Sequence, residues 1–329
     1  MGSDMSKVLV SGSAGLVGSE AVSFFKEKGW EVVGVDNGMR SRFFGTPKKE
    51  GQYVIDIRDE KDIDRLFVMH HFDAIIHTAA QPSHDWAKKE PLTDFDCNAR
   101  GTLILLEATR KHCPEAVFVH VSTDKVYGEG MKRVNYHETP TRYEHFQPFD
   151  ENTKTDQSMH SLFGCSKLAA DMYVQEYGHY FGMKTACFRC GCITGKNHEG
   201  AEEHGFLAYL AKCIKEGRVY RIFGYKGKQV RDIIHAYDLV NAFWHFIQNP
   251  KMAAVYNMGG GVDSACSILE AITMFEKETG KTALTFYVDK IRAGDRQWDI
   301  HDTTKFELDY PEWRRTRTLK DIIKELCKS

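Results

Sequence analysis

Residues 7–18 read KVLVSGSAGLVG. A short apolar run with β-branched residues ends in Gly-x-x-Gly-x-x-Gly, and residues 15–28 then carry helical spacing. Few features constrain a chain more, because the glycines dictate a tight strand-to-helix turn. Gly12 permits the bend, Gly15 lets a pyrophosphate approach the N–H groups of a helix start, and Gly18 lets helix and strand pack closely. The next strand, EVVGVD at 31–36, ends in an acid close to the distance from the glycines that a dinucleotide site requires. A carboxylate at Asp36, with Asn37 beside it, accepts hydrogen bonds from adenine ribose hydroxyls and repels a 2′-phosphate, which favours NAD over NADP. The cradle is therefore Gly12, Ser13, Ala14, Gly15, Leu16, Val17 and Gly18.

The alternation continues. GQYVIDI (51–57), DAIIHTAA (73–80), AVFVHVS (116–122) and KTACFR (184–189) read as strands, with helical patterns near 60–70, 90–111 and 161–180. Strands spaced by helices predict an α/β fold with a doubly wound parallel sheet, and continuous apolar runs fit burial on both faces. Beyond 190 the pattern loosens into helices near 204–216, 236–248, 266–279 and 318–328, with polar loops over 129–158 and a turn at Gly259–Gly261. No long linker interrupts the chain, so the second part is expected to form a smaller α/β lobe. Residues 5–190, plus about 233–258, are expected to form the NAD-binding domain, and 191–232 with 259–329 the substrate-binding lobe.

The 329 residues are 42% hydrophobic with a net charge of −2, which gives no reason to expect a nucleic-acid or membrane partner. No apolar run reaches the ~18 residues of a membrane span. MGSD before Met5 reads as an appended leader, and the lack of an export-signal core leads us to expect a cytoplasmic protein with nine free thiols. Cys187, Cys190 and Cys192 have no second Cys/His pair at zinc distance, so no metal site is expected.

Further motifs accumulate in order: HTAAQ (77–81), Asn98 with Gly101-Thr102, STDKVYG (122–128), FGCSK (163–167), Phe188-Arg189, GKQVRDIIHAYDLV (227–240) and YNMGGG (256–261). Together with the glycine turn and Asp36, they resemble the extended short-chain dehydrogenase/reductase family, NAD-dependent sugar-nucleotide epimerases and dehydratases built on a Rossmann sheet. HSxxGCSK followed by AAD, GKQVRD, and Lys125 in STDKVYG look like the CDP-tyvelose (CDP-paratose) 2-epimerase branch. The resemblance implies a CDP-hexose substrate, oxidised to a transient keto-sugar by bound NAD and reduced again on its other face. Dehydratases of this family usually read Thr-Asp-Glu in that loop. Lys125 replaces the glutamate here, so dehydration is not expected. A sugar-nucleotide 4-epimerase, a decarboxylase, or a non-catalytic NAD and nucleotide-sugar-binding protein stay open as alternatives.

The resemblance also implies roles. Lys167 holds the nicotinamide ribose and lowers a neighbouring pKa, Thr123 bonds the reacting hydroxyl, and Asn98 steadies the active-site backbone. Thr78, Ala79, Ala80, Gln81, Ser122 and Arg189 join the cofactor site. Asp56, followed by Ile57, is in place for an adenine amino group, or equally for a helix cap. Arg231 and Arg292 clamp the diphosphate, Asp295 takes the nucleotide ribose, and Asn197 the sugar diphosphate. Ser83, Lys125, Gly205 and Phe206 complete the substrate side. Helices near 90–111 and 161–180 imply a homodimer, with Leu103, Leu106 and Val174 facing either the partner or the sheet. Asp295-Arg296-Gln297 departs from the expected Asp-Gln-Arg, which leaves Arg296 without a role.

Phe163 is the sharpest departure: it stands where the family carries the tyrosine of Tyr-x-x-x-Lys. Oxidising an alcohol requires an acceptor for the hydroxyl proton, and a phenyl ring has no proton chemistry. Three readings compete: another group is the base, the residue is an introduced Tyr→Phe change, or the protein binds without turnover. Leu162, where proline is expected, makes two adjacent departures and favours natural divergence. Candidate bases are His84, His160, Cys165 and Asp124. His84, just past the fourth strand, is preferred. Cys165 lies two residues past Phe163 on the helix and points elsewhere.

Overall fold

The computed structural model describes residues 5–39, 52–129, 135–155, 157–198, 200–202, 205–292 and 294–328. Residues 1–4, read above as a leader, lie outside these. Seven strands form the central sheet: β1 (Lys7–Ser11), β2 (Glu31–Asp36), β3 (Gln52–Val54), β4 (Ala74–His77), β5 (Val117–Thr123), β6 (Thr185–Cys190) and β7 (Ala254–Met258). Their order is β7-β6-β5-β4-β1-β2-β3, and every pairing is parallel. The chain thus turns back between β1 and β4, the switch point at which an open α/β sheet opens a crevice beyond its carboxyl ends.

The pleat sorts the apolar side chains onto two faces. Val8, Val10 and Ile76 join one core with the helices Leu16–Glu27 and Ala236–Gln248, while Leu9 and Ile75 join the other with Glu60–Met69 and Gly101–His112. Leu106 and Val174 are fully buried in the second core, so they face the sheet. The exposed large apolar residues of the helix Ser161–Phe181 are instead Leu162, Met172, Tyr173, Tyr180 and Phe181.

Two elements differ from expectation. The third strand stops at Val54, because Asp56 turns the chain by accepting the Arg58 N–H at 3.0 Å. The helix expected over 90–111 is three pieces, Pro91–Phe95, a wide π-turn at Asp96–Arg100, and Gly101–His112. That wide turn buries Asn98.

The lobe is built on the strand Val230–His235. It runs antiparallel to Ala265–Ser267 and parallel to Trp298–Asp299 and Cys192–Thr194. Tyr220–Phe223 pairs in parallel with Thr285–Val288, and the helices Phe206–Glu216, Ile268–Thr279 and Leu319–Lys328 supply a core of their own. Among the described residues no helix is long and apolar enough to cross a membrane.

Candidate active site

A cavity of about 870 Å³ runs from the glycine turn to the lobe. At its sheet end Gly12 takes φ +72°, and a Cβ there would lie 2.7 Å from the Ala79 nitrogen. A Cβ on Gly18 would lie 2.1 Å from the Gly12 carbonyl oxygen, so any side chain would push the helix off the strand. Gly15 starts the helix Leu16–Glu27 with no side-chain cap and no acid in the first turn, leaving its first N–H groups to an anion. Asp36 accepts the Ala14 N–H at 3.1 Å and the Gly38 N–H at 2.8 Å, which fixes its carboxylate on the wall beside Asn37. Gly12, Gly15, Leu16 and Val17 line the cavity, whereas Ser13, Ala14 and Gly18 stand behind it. This donor set fits a dinucleotide pyrophosphate and its adenosine ribose.

Beyond β4, Thr78, Ala79, Ala80, Gln81, Ser83 and His84 follow along the wall. The Thr78 hydroxyl donates to the Ser11 carbonyl at 2.7 Å. Asn98 does not reach the cavity; its oxygen accepts the Gln81 N–H at 2.8 Å and its amide donates to the Gln81 carbonyl at 3.0 Å. It thereby pins the loop at Gln81. The same amide donates to Asp94 and to Ser166 on the helix of Lys167. Asp94 is a buried acid that no local motif marks, and burial pushes its pKa up.

Thr123 closes β5 on the cavity wall, beside Ser122. Lys167 reaches the wall from the helix Ser161–Phe181 and is only 3% exposed. Its Nζ donates to the Val121 carbonyl at 2.8 Å and lies 3.2 Å from His120 Nε2. Burial pulls its pKa down to about 8. Phe163 also lines the cavity, and the His84 ring meets it edge-on with centroids 4.9 Å apart. His84 Nδ1 is 2.8 Å from the Ser161 hydroxyl, and Ser161 itself is held at φ +65°. From the lobe, Gly294 comes so close that a Cβ would sit 3.0 Å from His84 Cε1.

The next section of wall is a buried ion cluster. The Lys125 ammonium bridges Asp124 at 2.8 Å and Asp299 at 3.2 Å, and the Arg296 guanidinium bridges the same two carboxylates at 3.0 and 2.9 Å. Asp124 is thus committed to two cations, which argues against it as a base. Arg296, 1% exposed, finds its role in that cluster. Arg231 bonds Asp295 and the Arg296 carbonyl, while Arg292 stacks 4.1 Å above the Phe223 ring. All three of Arg231, Arg292 and Asp295 line the cavity, as do Gly205 and Phe206.

Several expected site residues are not brought to the wall. Asp56 is held by Arg58 at 2.6 and 2.9 Å and by Asn37 at 3.0 Å. Despite burial these contacts lower its pKa to about 2, and Ile57 lines the cavity instead. Arg189 forms a buried fork onto Asp171, with Nη2 and Nε at 2.7 and 3.1 Å, and donates to the Tyr127 hydroxyl. Asn197 is exposed and donates to Ser19 Oγ at 3.2 Å. His160 Nδ1 lies 2.6 Å from the Ser158 carbonyl, and Cys165 is exposed; neither is on the wall. Sequence reading also missed Asp232, Asp299 and His301, which do line it. No local motif marks His301 or Asp299, and Asp232 passed as part of GKQVRD.

The match to a family described as NAD dependent epimerase/dehydratase spans residues 8–259. A CDP-paratose 2-epimerase of Salmonella typhi is 30% identical, the alignment covering 97% of this chain and 98% of the relative. A dTDP-glucose 4,6-dehydratase of Escherichia coli is 28% identical over 89% of this chain and 84% of its own. Among solved structures, the UDP-glucose 4-epimerase of Thermotoga maritima with UDP-glucose superposes with a TM-score of 0.80 at 26% identity, covering 98% of this chain and 97% of that one.

Proposed function

Because the chain belongs to the NAD-dependent epimerase/dehydratase family, we propose that it epimerises a nucleotide-linked hexose through a transient keto-sugar, a CDP-hexose with inversion at carbon 2. The observation that carries this reading is one continuous cavity. It joins the glycine turn and Asp36 to Arg231, Arg292 and Asp295, with Thr123 and Lys167 between them. NAD, when bound, supplies the reversible oxidation of a sugar carbinol. The residues do the rest. Gly12, Gly15 and the open helix start hold the pyrophosphate, and Asp36 holds the adenosine ribose. Lys167, charged below about pH 8, holds the nicotinamide ribose and disfavours nearby positive charge. Thr123 orients the reacting hydroxyl, and Arg231 and Arg292 face the diphosphate. Ser83, Lys125, Gly205 and Phe206 close the sugar side.

Proton exchange falls to His84, the imidazole that touches the ring of Phe163. Dehydration is disfavoured, because Asp124 is locked between Lys125 and Arg296, and the carboxylate next to it, Asp299, is held as an anion by the same two cations rather than free to protonate a leaving hydroxyl. The exposed apolar side chains of Met172, Tyr173, Tyr180 and Phe181 on that helix support a homodimer, and we expect the enzyme to work in the cytoplasm.

The test is incubation of NAD-loaded protein with CDP-, UDP- and dTDP-hexoses while the configuration at each sugar carbon is followed by NMR. Inversion at carbon 2 of a CDP-hexose, abolished in His84→Gln and little changed in Phe163→Tyr, is expected. Inversion at carbon 4, or turnover seen only in Phe163→Tyr, would contradict the reading.

A further inference from the structure

The cavity wall carries a second imidazole, on the lobe side. His301 Nδ1 lies 2.8 Å from Asp232 Oδ1, and the other oxygen of that carboxylate accepts the backbone N–H groups of His301 at 3.1 Å and Gly261 at 3.0 Å. Asp232 is 1% and His301 2% exposed, so the carboxylate has one rigid orientation and fixes the ring. With Nδ1–H committed to Asp232, Nε2 is the ring's remaining polar atom. It is buried, with no hydrogen-bond partner among the described residues. Filling space alone would ask only for a phenyl ring. An imidazole backed by a saturated carboxylate is the arrangement of an oriented acid–base group.

Its place in the sheet adds to this. Gly191 follows Cys190, the register partner of Thr123, and a Cβ on Gly191 would lie 2.4 Å from His301 Cε1. The missing side chain makes room for the imidazole just beyond β6. The strand order β6-β5-β4 then sets Thr123, at the end of β5, between His301 beyond β6 and His84 beyond β4. Burial pulls the His301 pKa down, but the facing carboxylates of Asp232, Asp299 and Asp124 more than offset it and hold the group above the usual histidine value. Phe149 covers the ring at 4.3 Å between centroids.

We propose that the His301–Asp232 pair is a second proton-exchange site for the bound sugar, serving the epimer whose hydroxyl lies on the β6 side of Thr123, while His84 serves the other. The inference rests on the epimerase reading above. In the oxidising half, the carbinol C–H bond breaks with its electron pair passing to the nicotinamide cofactor. The O–H proton passes to one imidazole, and the C=O bond forms. In the reducing half the electron pair returns to the opposite face of the carbon, and the oxygen takes its proton from the other imidazole. One ring ends protonated and the other neutral, and exchange with solvent resets them.

The experiment uses NAD-loaded protein labelled with ¹⁵N-histidine and a panel of CDP-, UDP- and dTDP-hexoses, each with its epimer. In the parent chain the His301 Nε2 resonance should shift with a nucleotide sugar and not with the nucleoside diphosphate alone. In His301→Asn, whose amide can still bond Asp232, reduction of bound NAD read at 340 nm should fall about 100-fold or more for one epimer and persist for the other. His84→Gln should show the mirror image. Asp232→Asn should weaken the same epimer as His301→Asn, with NAD content unchanged. A His301 resonance indifferent to the sugar overturns the inference, as does equal reduction of NAD by both epimers in His301→Asn. If no probe reduces NAD in the parent chain, the epimerase reading has failed and the inference falls with it.

Discussion

Lys167 shows how one residue's environment sets its chemistry. The residue is 3% exposed, its ammonium shares its space with the buried His120, and among the described residues the Val121 carbonyl is its one hydrogen-bond acceptor besides that ring. Its pKa of about 8 lies below that of a free lysine, so between the two values the unfolded chain binds more protons than the folded one. Stability therefore rises with pH from about 8 upward, and the full penalty of burying the charge is felt below it. The difference corresponds to roughly 3 kcal/mol. Denaturant unfolding of the cofactor-free protein at pH 7 and pH 10 should show Lys167→Met flattening this rise; an unchanged pH slope would show that the lysine is not buried as described. Phe163 is the complementary case. The sequence shows that the phenol is missing, and the fold shows an imidazole against the ring that remains.

The elements of the first half were readable because each obeys a local rule. Val8, Leu9 and Val10 form a run buried on both faces, and the three glycines can only make the turn that they do make. The lobe was not readable in the same way. Its sheet is assembled from Cys192–Thr194, Ala265–Ser267 and Trp298–Asp299, segments of two or three residues whose pairing is decided by tertiary packing on Val230–His235. The ion cluster joins Asp124 to Arg296, and His301 meets Asp232, across similarly long stretches of chain. Arg189 was misplaced for a related reason. Its position at the end of β6 is right, but Asp171, on the helix that carries Lys167, captures it, and Ser122 on β5 donates to the same carboxylate at 2.6 Å. This buried pair ties β5 and β6 to the helix. Asp171→Ala would leave Arg189 charged and unpaired, and should cost about 3–5 kcal/mol of unfolding free energy. Calorimetric melting would show it; a loss below about 1 kcal/mol would mean that water reaches the pair.

At the scale of the molecule, a parallel sheet and a lobe of separate origin in the chain close over one cavity. The sheet contributes a glycine cradle and an acid, and the lobe contributes arginines and an imidazole–carboxylate pair. Everything proposed for the sugar depends on a dinucleotide being held in that cradle, since a chain without it has no oxidant for a carbinol. The direct measurement is titration of the nucleotide-stripped protein with NAD and with NADP by calorimetry, in parallel with Gly18→Ala and Asp36→Ala. The account predicts one NAD per chain with a marked preference over NADP. It predicts loss of binding in Gly18→Ala, whose Cβ would collide with Gly12, and loss of the preference in Asp36→Ala. A parent chain that binds neither nucleotide, or a Gly18→Ala chain that binds NAD as tightly as the parent, would contradict it.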